Sequence, residues 1–242
     1  MIYRLVALDV DGTLLDSTHT LRPRVVASVR AAQTRGLTIT LATGKLLASV
    51  RPILRRLDTR GPIITLNGAA TLDAETGAAL RFVPLREDDR QAVIRTVREL
   101  DPDVLVSHFT VDSILMDRDH PLVGVFAEYG EGPPVLVPDL LAPTLPPAAK
   151  ILLSGAPERL AALRVAVTPL LRDRVTITTT TPDFLEFFDP AAGKGLALKA
   201  LCETLGIPRA AVVAVGDGEN DIPLFAEAGL AIAMANATEG TR

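Results

Sequence analysis

Cysteine is nearly absent from this 242-residue chain: Cys202 is the only one, so no disulfide framework can form within it. Lysine is scarce as well. Lys45, Lys150, Lys194 and Lys199 are all there are, and arginine supplies the other positive charges, so a lysine beside a motif draws notice. No apolar run approaches the roughly 20 residues that span a bilayer, and there is no internal repeat or low-complexity tract. An excess of positive charge is missing too: the formal net charge is -4, which speaks against a nucleic-acid or membrane partner. The segment Met1-Ile2-Tyr3-Arg4 leads straight into an apolar run without the pattern of a signal peptide, and a cytoplasmic protein is expected. What is present is ordinary for a soluble globular protein, 48% hydrophobic and 22% charged. The length allows one large domain or two modest ones.

Strand and helix patterns alternate at both ends of the chain. Residues 5–8 form an apolar run. Residues 23–35 then place Val25, Val26, Val29 and Ala32 on one helical face, with Pro23 as a start signal and Gly36 as a stop. A strand is predicted over 37–42, a helix over 46–57 and a third strand over 63–66. From Gly195 the alternation resumes, with a helix to Leu205, a strand over 211–215, a helix over 222–228 and a strand over 230–234. Such alternation implies a parallel sheet covered by helices. Between these ends the rhythm breaks. A short hairpin is predicted over 70–84 and a helix over 87–100, followed by mixed strands, a proline-rich irregular stretch over 130–148, and a further strand, helix and strand pair up to 188. The expected fold class is α/β, a Rossmann-like parallel-sheet core carrying an inserted α+β unit. The expected boundaries are 1–82 and 188–242 for the core and 83–187 for the insert.

In open α/β sheets ligands bind beyond the carboxyl ends of the strands. Each such end here carries a polar residue: Asp9, Thr43, Asn67 and Asp217. The first apolar run ends in Asp9-Val10-Asp11-Gly12-Thr13. In an extended strand alternate side chains share a face, which would aim Asp9 and Asp11 at one point. Two such charges ~4 Å apart repel by about 4 kcal/mol at an effective dielectric of about 20, so a cation must offset them or one carboxyl must hold a proton. A plain turn closing a strand is the competing reading of the same residues. A helix-loop-helix calcium loop is excluded, because Leu14 and Thr20 stand where it needs Gly and Glu.

Thr43-Gly44-Lys45 lies between a predicted strand and helix, and reads either as a helix cap or as an anion site made of a hydroxyl and backbone N–H groups. Gly193-Lys194-Gly195 opens a predicted helix, where a lysine opposes the helix dipole and a phosphate would give it a use. Neither segment fits a Walker loop. Gly216-Asp217-Gly218-Glu219-Asn220-Asp221 reads as a turn and cap, or as a hard-cation site in which Asp217 joins Asp9. It fails as a dinucleotide loop because Asp221 occupies the third glycine's place. Oxygen ligands without His or Cys favour magnesium over zinc. His19, His108 and His120 show no ligand spacing.

These pieces, in this order, resemble the haloacid dehalogenase superfamily of phosphohydrolases, with Asp9 to Thr13, Thr43, Lys194, and Gly216 to Asp221 as its four motifs. Segments 8–17, 41–45, 66–69, 193–201 and 216–225 resemble the Cof-type branch. The resemblance covers roughly residues 2–82 and 184–236, and it implies that the middle is an α/β cap. By the same resemblance Asp9 is the nucleophile that becomes an aspartyl-phosphate, and Asp11 the general acid and then base. Mg²⁺ is implied as cofactor, held by Asp9, Asp217 and the backbone carbonyl of Asp11. Thr43, Gly44, Lys194 and Asn220 are implied to bind substrate, with Asn220 and Asp221 orienting Lys194 and the metal's waters. The cap is implied to close over the site and contact the leaving group. Two departures stand out: Lys45 replaces a more usual arginine, and relatives continue with a further strand and helix after the 231–236 region. The expected activity is a Mg²⁺-dependent phosphatase for a small phosphorylated metabolite, a sugar phosphate first among candidates. A phosphomutase on the same scaffold and a non-catalytic metabolite-binding protein are the alternatives. The sequence leaves oligomeric state, the substrate and the cap residues that choose it open.

Overall fold

The computed structural model describes residues 2–242 and divides the chain into two compact units, Met1–Phe82 with Ala192–Arg242, and Val83–Ala191. The first unit opens with β1 (Leu5–Leu8), α1 (Pro23–Thr34), β2 (Thr38–Leu41) and α2 (Leu47–Leu57). Pro23 sits in the first turn of α1, where its missing N–H costs nothing. Gly36 closes the helix at φ 84°, its N–H bonding to the Gln33 carbonyl at 2.8 Å. Next come β3 (Pro62–Thr65), β4 (Ala70–Asp73) and β5 (Ala79–Phe82). The predicted third strand does not extend the parallel ladder. β3 touches β2 through a single Ala42–Ile64 bridge and pairs antiparallel with β4, in a separate three-stranded sheet β3-β4-β5. Pro62 has no N–H to give to a ladder, and its carbonyl is taken by the Thr40 hydroxyl at 2.8 Å.

The second unit contains α3 (Glu87–Leu100), β6 (Leu105–Phe109), β7 (Ile114–Met116), the short α4 (Val125–Glu128), β8 (Val135–Leu136), β9 (Lys150–Ser154), α5 (Pro157–Leu171), β10 (Thr176–Thr181) and β11 (Phe184–Phe188). Its sheet runs β10-β11-β9-β6-β7-β8, antiparallel except between β7 and β8. One face packs Val106, Ile151, Leu153, Leu185 and Phe187 under Val93 and Val97 of α3 and Leu163 and Val167 of α5. Alternation sends Lys150, Leu152 and Ser154 to the other face, where Lys150 Nζ bonds Glu186 at 2.7 Å and lies 4.7 Å from the Phe109 ring centre. The proline-rich stretch is ordered by side chains of α3. Buried Arg90 donates to the carbonyls of Leu140 and Ala142, and Arg98 holds Asp117, which accepts from the Leu140 N–H. The 118–130 segment, where the sequence pattern predicts no element, forms a 3-10 turn and α4, with Phe126 packed edge-on against Phe109.

The chain then returns to the first unit with α6 (Lys194–Leu205), β12 (Val212–Gly216), α7 (Ile222–Ala226) and β13 (Leu230–Ala233). The four-stranded sheet β13-β12-β1-β2 is parallel throughout, in register Leu5–Val212 and Leu5–Thr38. Leu5, Ala7, Val212 and Ala214 pack against Ala197, Leu198 and Leu201 of α6. Central β1 is near-continuously apolar, as expected for a parallel strand covered on both faces.

His108 on β6 is fully buried, with Nε2 3.0 Å from the Pro146 carbonyl and no partner for Nδ1. Burial first, then the nearby Arg90 charge, lowers its pKa from 6.5 to about 4. The unfolded chain therefore binds the proton more readily than the folded one between these values, and stability is lost as pH falls below about 6.5. Chemical denaturation of the full chain is expected to show about 2 kcal/mol more destabilisation from pH 7 to pH 5 in the wild type than in His108→Phe. Equal pH dependence in the two proteins would contradict the assignment.

Candidate active site

The polar ends of β1 and β12 meet because these strands are adjacent. Asp9 follows β1 and donates its backbone N–H to the Val215 carbonyl at 3.0 Å. The chain then turns at once, the N–H groups of Leu14 and Leu15 both returning to the Val10 carbonyl. Asp9 and Asp11 therefore lie in a turn beyond β1 and not in an extended strand, although the charge of Asp11 still acts on Asp9. Each has its own lysine. Asp9 Oδ1 accepts from Lys194 Nζ at 2.7 Å, while Asp11 Oδ1 lies 3.3 Å from Lys45 Nζ and 3.6 Å from His19 Nδ1. His19 takes up this place in a left-handed conformation, φ 53°.

Lys194 is the first residue of α6, against the helix dipole, and is 1% exposed. Its ammonium also donates to Asp221 Oδ1 at 2.7 Å. Burial by itself would lower the Lys194 pKa, but Asp221 and Asp9 more than offset this and raise it. The other oxygen of Asp221 accepts the backbone N–H groups of Asp217 and Gly218, both at 3.0 Å. Asp221 is therefore fully engaged in shaping the 216–221 loop and fixing Lys194.

Asp217 is held differently. Oδ1 accepts from the Thr13 hydroxyl at 2.8 Å and Oδ2 from Asn236 Nδ2 at 3.0 Å. Gly12 must be a glycine here: its φ is 75°, and a Cβ would stand 2.1 Å from Asp217 Oδ2. Carboxylate oxygens of Asp9, Asp217 and Asp221 all lie within 4.8 Å of one another. Burial first, and the neighbouring carboxylates Asp221 and Asp11 next among the raising causes, push Asp9 well above the usual carboxylate range despite Lys194. Asp217 is raised by burial foremost, against the Thr13 hydrogen bond, with Asp221 and Asp11 adding to the rise. Two acids whose ionised forms are under-compensated, with hard oxygen donors and no sulfur or imidazole in the group, suit a divalent cation such as Mg²⁺ or Ca²⁺.

Thr43 does not cap α2, which begins four residues later at Leu47 with no side-chain cap on Leu46. Its hydroxyl accepts the Lys45 N–H at 3.1 Å, a local turn, and its carbonyl accepts from Asn67 N–H at 2.9 Å. Gly44 stands against Asn67, where a Cβ would be 3.1 Å from Oδ1. Asn220, expected to orient Lys194, instead donates to Asn67 Oδ1 at 2.9 Å. Asn67 is buried and left-handed, φ 54°. It therefore ties the Thr43 loop to the Asn220 loop. Gly68 next to it allows close approach to Gly193, whose carbonyl would be 2.2 Å from a Cβ. The connections made by Asn67, His19, Lys45 and Asn236 escaped the sequence. Of these Asn67 carried a signal in its place at a strand end, and Lys45 in its place beside the Thr43-Gly44 motif.

A sequence model of the haloacid dehalogenase-like hydrolases matches residues 6–242. The chain is 31% identical over 234 residues to the HMP-PP phosphatase of Cronobacter sakazakii, covering 97% of this chain and 85% of that protein. It is 29% identical over 245 residues to the HMP-PP phosphatase of Serratia proteamaculans, covering 98% and 85%. Among solved structures, a haloacid dehalogenase-like hydrolase from Bacteroides thetaiotaomicron superposes with a TM-score of 0.84 at 26% identity, over 99% of this chain and 91% of that one. With a buried carboxylate at the end of the central strand, a lysine clasped between two acids and a matching sequence over nearly its whole length, the chain belongs to the haloacid dehalogenase-like hydrolase family.

Proposed function

We propose that this enzyme is a Mg²⁺-dependent phosphatase that hydrolyses a small phosphorylated metabolite, a sugar phosphate first among candidates, with Asp9 as nucleophile. The observation that carries the reading is the Asp9 carboxylate, buried at the end of β1 with one oxygen fixed by Lys194 and within 4.8 Å of carboxylate oxygens of Asp217 and Asp221. The HMP-PP phosphatases among its relatives support a phosphate ester as substrate. Asp9 and Asp217 would hold the cation by their carboxylates and Asp11 by its main-chain carbonyl. A divalent ion bound there supplies charge neutralisation and polarises the phosphoryl oxygens.

The remaining steps belong to the side chains. Asp9 attacks phosphorus, the ester oxygen leaves with a proton from Asp11, and an aspartyl-phosphate forms. Asp11 then takes a proton from water as the water attacks phosphorus, which returns the Asp9 carboxylate and releases phosphate. Lys194 has three donors, two of them committed to Asp9 and Asp221, and the third is available to a phosphoryl oxygen. The Thr43 hydroxyl, the Gly44 N–H and Asn220 complete the phosphoryl contacts, and the inserted unit acts as the cap that selects substrate.

Release of phosphate from an aryl phosphate is expected to require Mg²⁺, to stop with chelator, and to fall at least about a thousandfold in Asp9→Asn. Activity unchanged in that variant would remove the nucleophile assignment. Mg²⁺ at a hundred times its Kd is expected to stabilise the wild type by about 2.7 kcal/mol and to leave Asp217→Asn unstabilised, read by thermal unfolding with and without the ion. Lys194→Met leaves two buried carboxylates without their cation, and is expected to cost about 3–5 kcal/mol in denaturant unfolding. A loss below about 1 kcal/mol would show that the clasp contributes little to the fold.

A further inference from the structure

The segment after β13 reaches back to the candidate site. Met234 N–H bonds the Gly216 carbonyl at 3.0 Å and Thr238 N–H bonds the Asp217 carbonyl at 3.2 Å, so residues 234–238 are anchored at both ends to the loop that carries Asp217. Between these anchors Asn236 uses one amide nitrogen twice. Nδ2 donates to Asp217 Oδ2 at 3.0 Å and to the Gly12 carbonyl at 3.0 Å. One side chain thus joins the turn after Asp11 to the carboxylate of Asp217, although Asn236 itself is exposed and makes no apolar core.

We infer that Asn236 is a positioning residue for divalent-cation binding: with Thr13 it fixes the plane of the Asp217 carboxylate while leaving its charge intact. This rests on the reading of Asp217 as a cation ligand. Each carboxylate oxygen has two acceptor sites. Thr13 takes one on Oδ1 and Asn236 one on Oδ2, which leaves one on each oxygen for a cation. A neutral amide suits this task better than lysine or arginine would, since a cationic donor would compete with the ion for the same charge. The second bond, to Gly12, fixes the amide itself, so that Asn236 is oriented by something other than the group it orients.

The test is calorimetric titration of Mg²⁺ into the substrate-free wild type and into Asn236→Leu and Asn236→Gln, joined to the Mg²⁺ dependence of aryl phosphate hydrolysis. Leu keeps the branched shape of Asn without a donor, and Gln keeps a donor on a longer arm. Loss of a partner that orients a metal ligand typically weakens affinity by about 10- to 100-fold. Asn236→Leu is expected to show that loss, with a matching rise in the Mg²⁺ concentration for half-maximal rate and a rate at saturating Mg²⁺ near that of the wild type. Asn236→Gln is expected to recover part of it. Wild-type affinity in Asn236→Leu would overturn the inference, as would a fall in saturated rate with Mg²⁺ affinity unchanged. Absence of Mg²⁺ binding by the wild type would instead overturn the reading of Asp217 as a ligand, and this inference with it.

Discussion

The site depends on one buried ammonium group. Lys194 Nζ sits between Asp9 and Asp221 at 2.7 Å from each, and so joins the end of β1, the start of α6 and the loop after β12. A lysine taken out of water loses a large hydration energy, and only close, well-aligned carboxylates return it. Asp221 in turn is fixed by two backbone N–H groups. The position of the Asp9 carboxylate is therefore set by a chain of charge-assisted bonds and not by the backbone of β1 alone.

Charge counting shows a surplus of acid in the cluster. Asp9, Asp11, Asp217 and Asp221 face Lys45 and Lys194, so acids exceed lysines by two. The upward shifts of Asp9 and Asp217 come from burial first, and the neighbouring carboxylates Asp221 and Asp11 add to both. A divalent ion, as proposed above, would balance the surplus. The scarcity of lysine also acquires a meaning here. Lys45, Lys150 and Lys194 are all buried beside an acid, and only Lys199 stands exposed.

Much of this was legible in the residues, because the informative features are local. The alternation of strand and helix, the turn at Gly36, and the polar residues Asp9, Thr43 and Asp217 at strand ends all arise from short-range pattern. Lys194 could be singled out because a lysine at a helix start is locally unfavourable. The features that could not be read depend on distant pairing. Asn236 bonds Gly12 across the length of the chain, and Asn220 turns to Asn67 in place of Lys194. An amide carries no sequence mark of which partner it will find. The premise of an extended strand through Asp11 does not hold, because β1 ends at Leu8 and the chain turns after Val10. β3 likewise pairs with β4, a partner close in sequence, and meets the end of β2 only at the Ala42–Ile64 bridge.

The place of β1 in its sheet has a consequence for how the protein is made. β1 lies between β2 and β12, yet residues 83–191 are translated before β12 exists. At about 5–20 residues per second, the strand that presents Asp9 waits on the order of ten seconds with one hydrogen-bonding edge open, while the inserted unit is already complete and able to fold. An unpaired apolar strand is a template for aggregation. The nascent chain thus passes through a stage in which the strand that presents Asp9 has one edge without its final partner.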